Sequence, residues 1–235
     1  MICIPIACPD IKDIFPKIDK AVSLGADLIE LRLDYVKNLE IDLLKDLKKT
    51  HYESIPIIFT YRKSSEGGAV NIGENRRLSI INDLIELKPS YMDLEYTIKK
   101  ENLAQLVKKC RDHNVKIILS FHNFINTPPL TVLLDTVKQM EKIGHDILKL
   151  IVMATDIYDN IIIFELLKQV SKDKKIVSFC MGNFGIVSRI FSPFFGGQFT
   201  FASLEVSTAP GQIQILEMKR FHELFTKTIK DNNLK

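Results

Sequence analysis

Eight short apolar or alternating segments recur along the chain: Ile2 to Ala7, Leu28 to Asp34, Pro56 to Arg62, Tyr91 to Tyr96, Lys116 to Phe124, Ile147 to Ala154, Ile176 to Met181 and Gln198 to Leu204. Between them the apolar residues change to helical spacing, as in Leu103, Leu106, Val107 and Cys110, or Leu130, Leu133, Leu134, Val137 and Met140. Gly25 and Gly144 each close a helical pattern before a strand, Asn114 can do the same, and Pro89 closes another. The last helix is expected from just after Pro210-Gly211 towards Ile229. Strands that alternate with helices form parallel β-α units, and eight of them point to an α/β fold of the closed (β/α)8 TIM barrel type, with an open doubly wound sheet as the alternative.

Strand polarity separates these two. Side chains alternate along a strand, so Glu30, Arg32 and Asp34 share one face while Ile29, Leu31 and Leu33 share the other. The same alternation pairs Thr60 with Arg62, Asp93 with Glu95, and Ser120 with His122. An open sheet covered by helices on both faces has no place for such a set. A barrel gathers it around its axis near the C-terminal ends of the strands, where barrel enzymes keep their sites. No internal repeat, low-complexity tract or linker interrupts the pattern, so residues 1–235 read as one catalytic barrel domain.

The charge balance excludes some partners. With 32 basic and 29 acidic residues the net charge is only +3, too even for a nucleic-acid or membrane surface to be the main partner, and small metabolites are left. Cys3, Cys8, Cys110 and Cys180 lie scattered in apolar segments without a C-x-x-C pair, as expected of reduced core thiols in a cytoplasmic protein. The first residues lack a basic region and read as a first strand rather than a signal peptide, and no apolar run is long enough to span a bilayer.

Lys149 stands inside the run Ile147 to Ala154, where an ammonium without a partner costs several kcal/mol. A desolvated amine is a nucleophile towards carbonyls; an ion-paired structural lysine would fit the same segment. His122 ends the neighbouring strand and can face the same cavity, which supplies the base that imine chemistry needs. His51, His113, His145 and His222 read as surface or turn residues. Glu66, in the flexible-looking loop Ser64 to Gly68, can orient His122, although alone it would read as a solvated residue. Arg32, Arg62 and Arg189 lie near the inferred mouth and imply an anionic or polyhydroxylated ligand, or else pairing with Glu30, Asp93 and Glu95. Asp93 and Glu95 alone do not make a metal site, because no His-x-His or carboxylate-rich loop accompanies them. The turn Ser207 to Gln212 carries two hydroxyls and an amide, and reads equally as a capped helix start.

Taken in order, Glu30-Leu31-Arg32, Thr60-Tyr61-Arg62 with Glu66-Gly67-Gly68, Asp93-Leu94-Glu95, Ser120 to Phe124, Lys149, Met181-Gly182 with Ser188-Arg189, and Ala209 to Gln212 resemble type I 3-dehydroquinate dehydratase. The resemblance spans nearly the whole chain. It implies a barrel that dehydrates 3-dehydroquinate to 3-dehydroshikimate in the shikimate pathway, without metal or organic cofactor and commonly as a homodimer. By that likeness Lys149 forms the imine, His122 moves the protons, and Glu66 holds His122. Arg189 with Gln212 would clamp the substrate carboxylate, while Glu30, Arg32 and Arg62 bind the ring hydroxyls. Thr208 stands where the family usually has serine, keeping the hydroxyl and adding a methyl beside the ligand. For attack the amine must be unprotonated, a state that burial and neighbouring arginines favour. A class I aldolase or a non-catalytic barrel would share the lysine but not the whole ordered set.

Overall fold

The computed structural model describes residues 1–50, 55–205 and 208–232. Eight parallel strands, β1 (Ile2–Ile6), β2 (Leu28–Arg32), β3 (Ile57–Thr60), β4 (Tyr91–Glu95), β5 (Lys116–His122), β6 (Ile147–Met153), β7 (Ile176–Met181) and β8 (Thr200–Phe201), pair in the order β7-β6-β5-β4-β3-β2-β1-β8. They form a nearly closed (β/α)8 barrel, as the alternating pattern predicts. At the seam the amide of Gln198 donates to the carbonyl of Ile176 at 2.8 Å, drawing the last strand towards β7. The helices are α1 (Ile14–Ser23), α2 (Ile41–Thr50), α3 (Glu74–Glu86), α4 (Lys100–Asp112), α5 (Leu130–Met140), α6 (Asp159–Val170), α7 (Ile186–Phe191) and α8 (Ile215–Asn232). Among the described residues no helix is long and apolar enough to cross a membrane.

Period-two alternation divides the strand residues into two cores. Ile29, Leu31, Ile57, Phe59, Leu119, Leu148 and Leu150 face outwards and pack beneath the helices with Leu103, Leu106, Val137 and Leu166. Cys3, Leu28, Ile58, Ile118, Ile147, Val177, Phe199 and Phe201 form the separate apolar cluster inside the barrel. Two residues on from this inner set come Glu30, Thr60, Ser120 and Lys149, all buried. The barrel therefore has an apolar plug with a charged layer above it, towards the C-terminal ends of the strands.

Some boundaries differ from the sequence expectation. Gly25 and Asn114 do end helices with positive φ (80° and 57°), but α5 stops at Met140, before Gly144. The eighth strand shrinks to two residues, and α8 begins at Ile215 because Ser203 and Gln214 first form a parallel bridge.

Candidate active site

Lys149 lies on the inner face of β6, opposite Ser120 of β5, and is 5% exposed. Its Nζ donates to Asp93 Oδ2 at 3.0 Å and to Glu30 Oε1 at 3.3 Å, and lies 4.8 Å from the centroid of the Phe201 ring. Carboxylates hold the amine directly, and Arg62, one of the arginines expected beside it, shares Asp93 Oδ2 with it. Asp93 is the hub, also accepting Arg62 Nη2 at 2.7 Å and the Ser120 hydroxyl at 2.6 Å. Burial pushes the Asp93 carboxyl up, but the charges of Arg62 and Lys149 outweigh it and hold it well below the usual carboxylate range.

His122 closes β5 with Nδ1 3.3 Å from Glu66 Oε2. Burial, then the Arg62 charge, lowers His122 to about 4, against the Glu66 bond that raises it. At neutral pH the imidazole is therefore an uncharged base. Glu66 is not in a free loop, as its sequence context suggested: it is buried at the end of a one-turn 3-10 helix, Ser64–Glu66, which Gly67 ends at φ 80°. Burial pushes its carboxyl up, yet the His122 bond, the Arg62 charge and the Thr97 hydroxyl together bring it to about 2. The Thr97 hydroxyl donates to Glu66 Oε1, leaving Oε2 to face the imidazole. Phe124 lies beside the His122 ring, with centroids 6.3 Å apart.

The three arginines differ in what they already hold. Arg62 donates to the Ser120 hydroxyl and to Asp93 and is buried, and the Asp93 and Glu95 carboxylates keep it charged against the desolvation. Arg32 grips Asp34 with two bonds, at 2.9 and 2.8 Å, and donates to the Gly67 carbonyl at 2.8 Å. Asp34 in turn accepts the Ala69 amide, so this pair anchors the loop that carries Glu66. Arg189, by contrast, has no carboxylate partner among the described residues. Its Nη2 donates to the Pro210 carbonyl at 3.1 Å, its guanidinium lies 4.4 Å from the Phe179 ring centroid, and Nε is buried without a partner. Burial lowers it to about 9. A desolvated cation of this kind is a receptor for an anion.

Lys149, His122, Glu66, Glu30, Arg32, Arg62, Arg189, Thr208 and Gln212 all line one pocket at the barrel mouth. Gln212 Oε1 accepts the Thr208 amide at 2.7 Å, and its Nε2 donates to the Thr208 hydroxyl at 3.1 Å, which folds the last loop onto itself. Close approach of two backbones seats that loop: a Cβ on Gly211, at φ 73°, would lie 2.3 Å from the Gly182 carbonyl oxygen. Ser207 and His51 lie outside the described residues.

A family model described as Type I 3-dehydroquinase matches residues 2–228. The chain belongs to the type I 3-dehydroquinase family. A 3-dehydroquinate dehydratase of Thermococcus onnurineus is 35% identical over 207 residues, 88% of this chain and 91% of that protein. The crystal structure of 3-dehydroquinate dehydratase from Geobacillus kaustophilus has the same fold, with a TM-score of 0.88 over 96% of this chain and 91% of that one at 24% identity. A type I 3-dehydroquinate dehydratase from Clostridium difficile, solved with covalently modified comenic acid, gives a TM-score of 0.84 at 28% identity and covers 97% and 92% of the two chains.

In this 3-dehydroquinase three supporting residues escape a reading of the sequence. Thr97 is one, reaching Glu66 from the turn after β4. Arg77 is another: although it sits on α3 it is buried, and its Nη1 donates to both Glu95 oxygens and to the Tyr61 carbonyl. Asn160 is the third. Its amide donates to the Ile157 and Phe184 carbonyls at 2.7 Å each and accepts the Ser188 amide at 2.9 Å, fixing the start of the helix that carries Arg189. None carries a motif; only a polar residue at a core-facing position, Arg77 beside Leu78 and Ile81, hints at such a role.

Proposed function

We propose that the chain removes water from 3-dehydroquinate to give 3-dehydroshikimate through an imine on Lys149. The observation that carries this reading is one pocket holding a desolvated amine, an uncharged imidazole and an unneutralised guanidinium. The substrate's carboxylate pairs with Arg189, and this orients the ketone carbon towards Lys149 Nζ. His122 takes a proton from the Lys149 ammonium, the amine attacks that carbon, and the imidazolium returns the proton to the carbinolamine hydroxyl, which leaves as water to give the protonated imine. The imine withdraws electrons from the adjacent C–H bond, so the neutral His122 can take the C2 proton. The resulting imidazolium, held against the Glu66 carboxylate, returns a proton to the C1 hydroxyl as the enamine expels it as water. Hydrolysis of the product imine consumes the water released earlier, so one water leaves per turnover. The covalent modification in the Clostridium difficile relative supports a covalent route.

Borohydride reduction in the presence of 3-dehydroquinate, followed by peptide mass mapping, tests the imine directly. A reduced adduct is expected on Lys149. Adduct on a different lysine, or none while turnover continues, would sink the mechanism.

Glu66→Gln tests the dyad. The Glu66 bond raises the basicity of His122, so removing its charge makes the imidazole a weaker base. The acid limb of kcat/KM, expected near pH 4 in the wild type, should move down by about one pH unit, the scale of one charge-assisted hydrogen bond. Turnover at pH 7 should fall roughly tenfold to a hundredfold because the imidazolium loses its counter-charge. A pH profile measured from 3 to 8 that keeps its acid limb would remove Glu66 from this role.

A further inference from the structure

A groove of about 690 Å³ runs along the outside of the barrel between α4 and α5, away from the pocket at the mouth. Its walls are apolar: Ile98 is buried, Val107 and Ile143 are half-buried, and Tyr96 offers a ring at one end. Its rim is cationic, carrying Lys99, Lys100, Lys108 and Lys142, and among the described residues no aspartate or glutamate lines it. Four positive charges here exceed the +3 of the entire chain. Cations just beyond the groove are neutralised, Lys109 by Glu86 and Arg111 by Asp146, at 2.8 and 2.7 Å. Among the described residues Lys99, Lys100 and Lys108 have no ion-pair partner, and Lys142 donates only to Gln139. Lys99 and Lys100 also stand at the opening turn of the 13-residue α4, where the helix dipole adds positive potential.

An apolar-walled groove of this volume fits a single small ligand, and its charge demands an anion. A second copy of the chain docked groove to groove would bring eight lysines face to face, so self-association does not fit. We propose that the α4/α5 groove binds a small aromatic carboxylate, its ring against Tyr96, Val107 and Ile143 and its carboxylate between the lysines. This site is separate from Lys149 and Arg189 and does not depend on the dehydratase reading.

2-Naphthoate serves as the probe, titrated against the full chain by calorimetry, with the neutral 2-naphthamide as its control. Binding should weaken about tenfold or more in the double variant Lys108→Glu/Lys142→Glu, since two attractions become repulsions, and equally for the amide. Val107→Trp, which fills the groove, should abolish it. Dehydratase activity of these groove variants should equal wild type, and Arg189→Met should leave naphthoate binding unchanged. Three results would overturn the proposal: no saturable binding up to about 1 mM, equal binding of acid and amide, or binding lost in Arg189→Met but kept in the groove variants.

Discussion

Replacing Lys149 with methionine is expected to remove dehydration almost completely, by roughly 10⁵-fold in kcat, the scale of losing a covalent nucleophile. Methionine keeps the length and much of the volume of the lysine stem, so the strand and its neighbours keep their packing. The electrostatic layer does not fare as well. Asp93 retains Arg62 and Ser120, and Glu30 retains the Thr60 hydroxyl at 2.8 Å, but the cation between the two carboxylates is gone. Breaking one partner of a buried ion pair costs about 3–5 kcal/mol, and the surviving partners place this change near the lower end. Thermal unfolding at pH 7 should therefore occur at a lower temperature, while product formation, followed by enone absorbance, disappears. Residual turnover within a hundredfold of wild type would mean that Lys149 is only a structural counter-ion.

The two readings of Lys149 that its strand allows, structural and catalytic, turn out to share one geometry. The amine is paired, to Glu30 and Asp93, and it also faces the pocket. Alternation along a strand makes such residues legible: once β5 and β6 are recognised, period two groups Ser120 with His122 and sets Lys149 opposite Leu148 and Leu150, and the register of the two strands then brings Lys149 beside Ser120. The barrel follows for the same reason, since charged faces on several parallel strands need a common interior. Contacts between loops are not legible in this way. That Arg32 holds Asp34 and the Gly67 carbonyl depends on how the loop after β3 folds back across β2. The ordering of Glu66 has the same origin, in Thr97 and in the Asp34 bond to Ala69, neither of which has a periodic signal. The difference between a satisfied and an unsatisfied arginine is likewise invisible in a sequence that shows Arg62 and Arg189 simply as cations near strand ends.

That difference governs the second large effect, expected in Arg189→Met. In the free protein the guanidinium is 1% exposed and, among the described residues, lacks a counter-charge and leaves Nε without a partner. Burial lowers Arg189 to about 9, so the folded state binds this proton less well than the unfolded chain does. The sign follows from linkage: the cost to folding is fully present below pH 9 and recedes as pH rises from there towards the ordinary guanidinium range. Methionine removes that cost at pH 7 and fills the space against Phe179, so the variant should melt at a higher temperature, in line with the 1–4 kcal/mol, roughly, by which apolar residues can outdo buried charges. Catalysis moves in the opposite direction. A substrate carboxylate loses a desolvated cationic partner, worth about 2–5 kcal/mol, and kcat/KM should fall roughly 30- to 4,000-fold, chiefly through KM. The same logic predicts that 3-dehydroquinate, or a non-reacting carboxylate analogue, raises the melting temperature of the wild type far more than that of the variant. Melting curves at pH 7 with and without ligand, set beside steady-state kinetics, measure both sides together. A variant that is less stable, or one that retains wild-type KM, would show that Arg189 is a structural residue and that the anion is held elsewhere in the pocket.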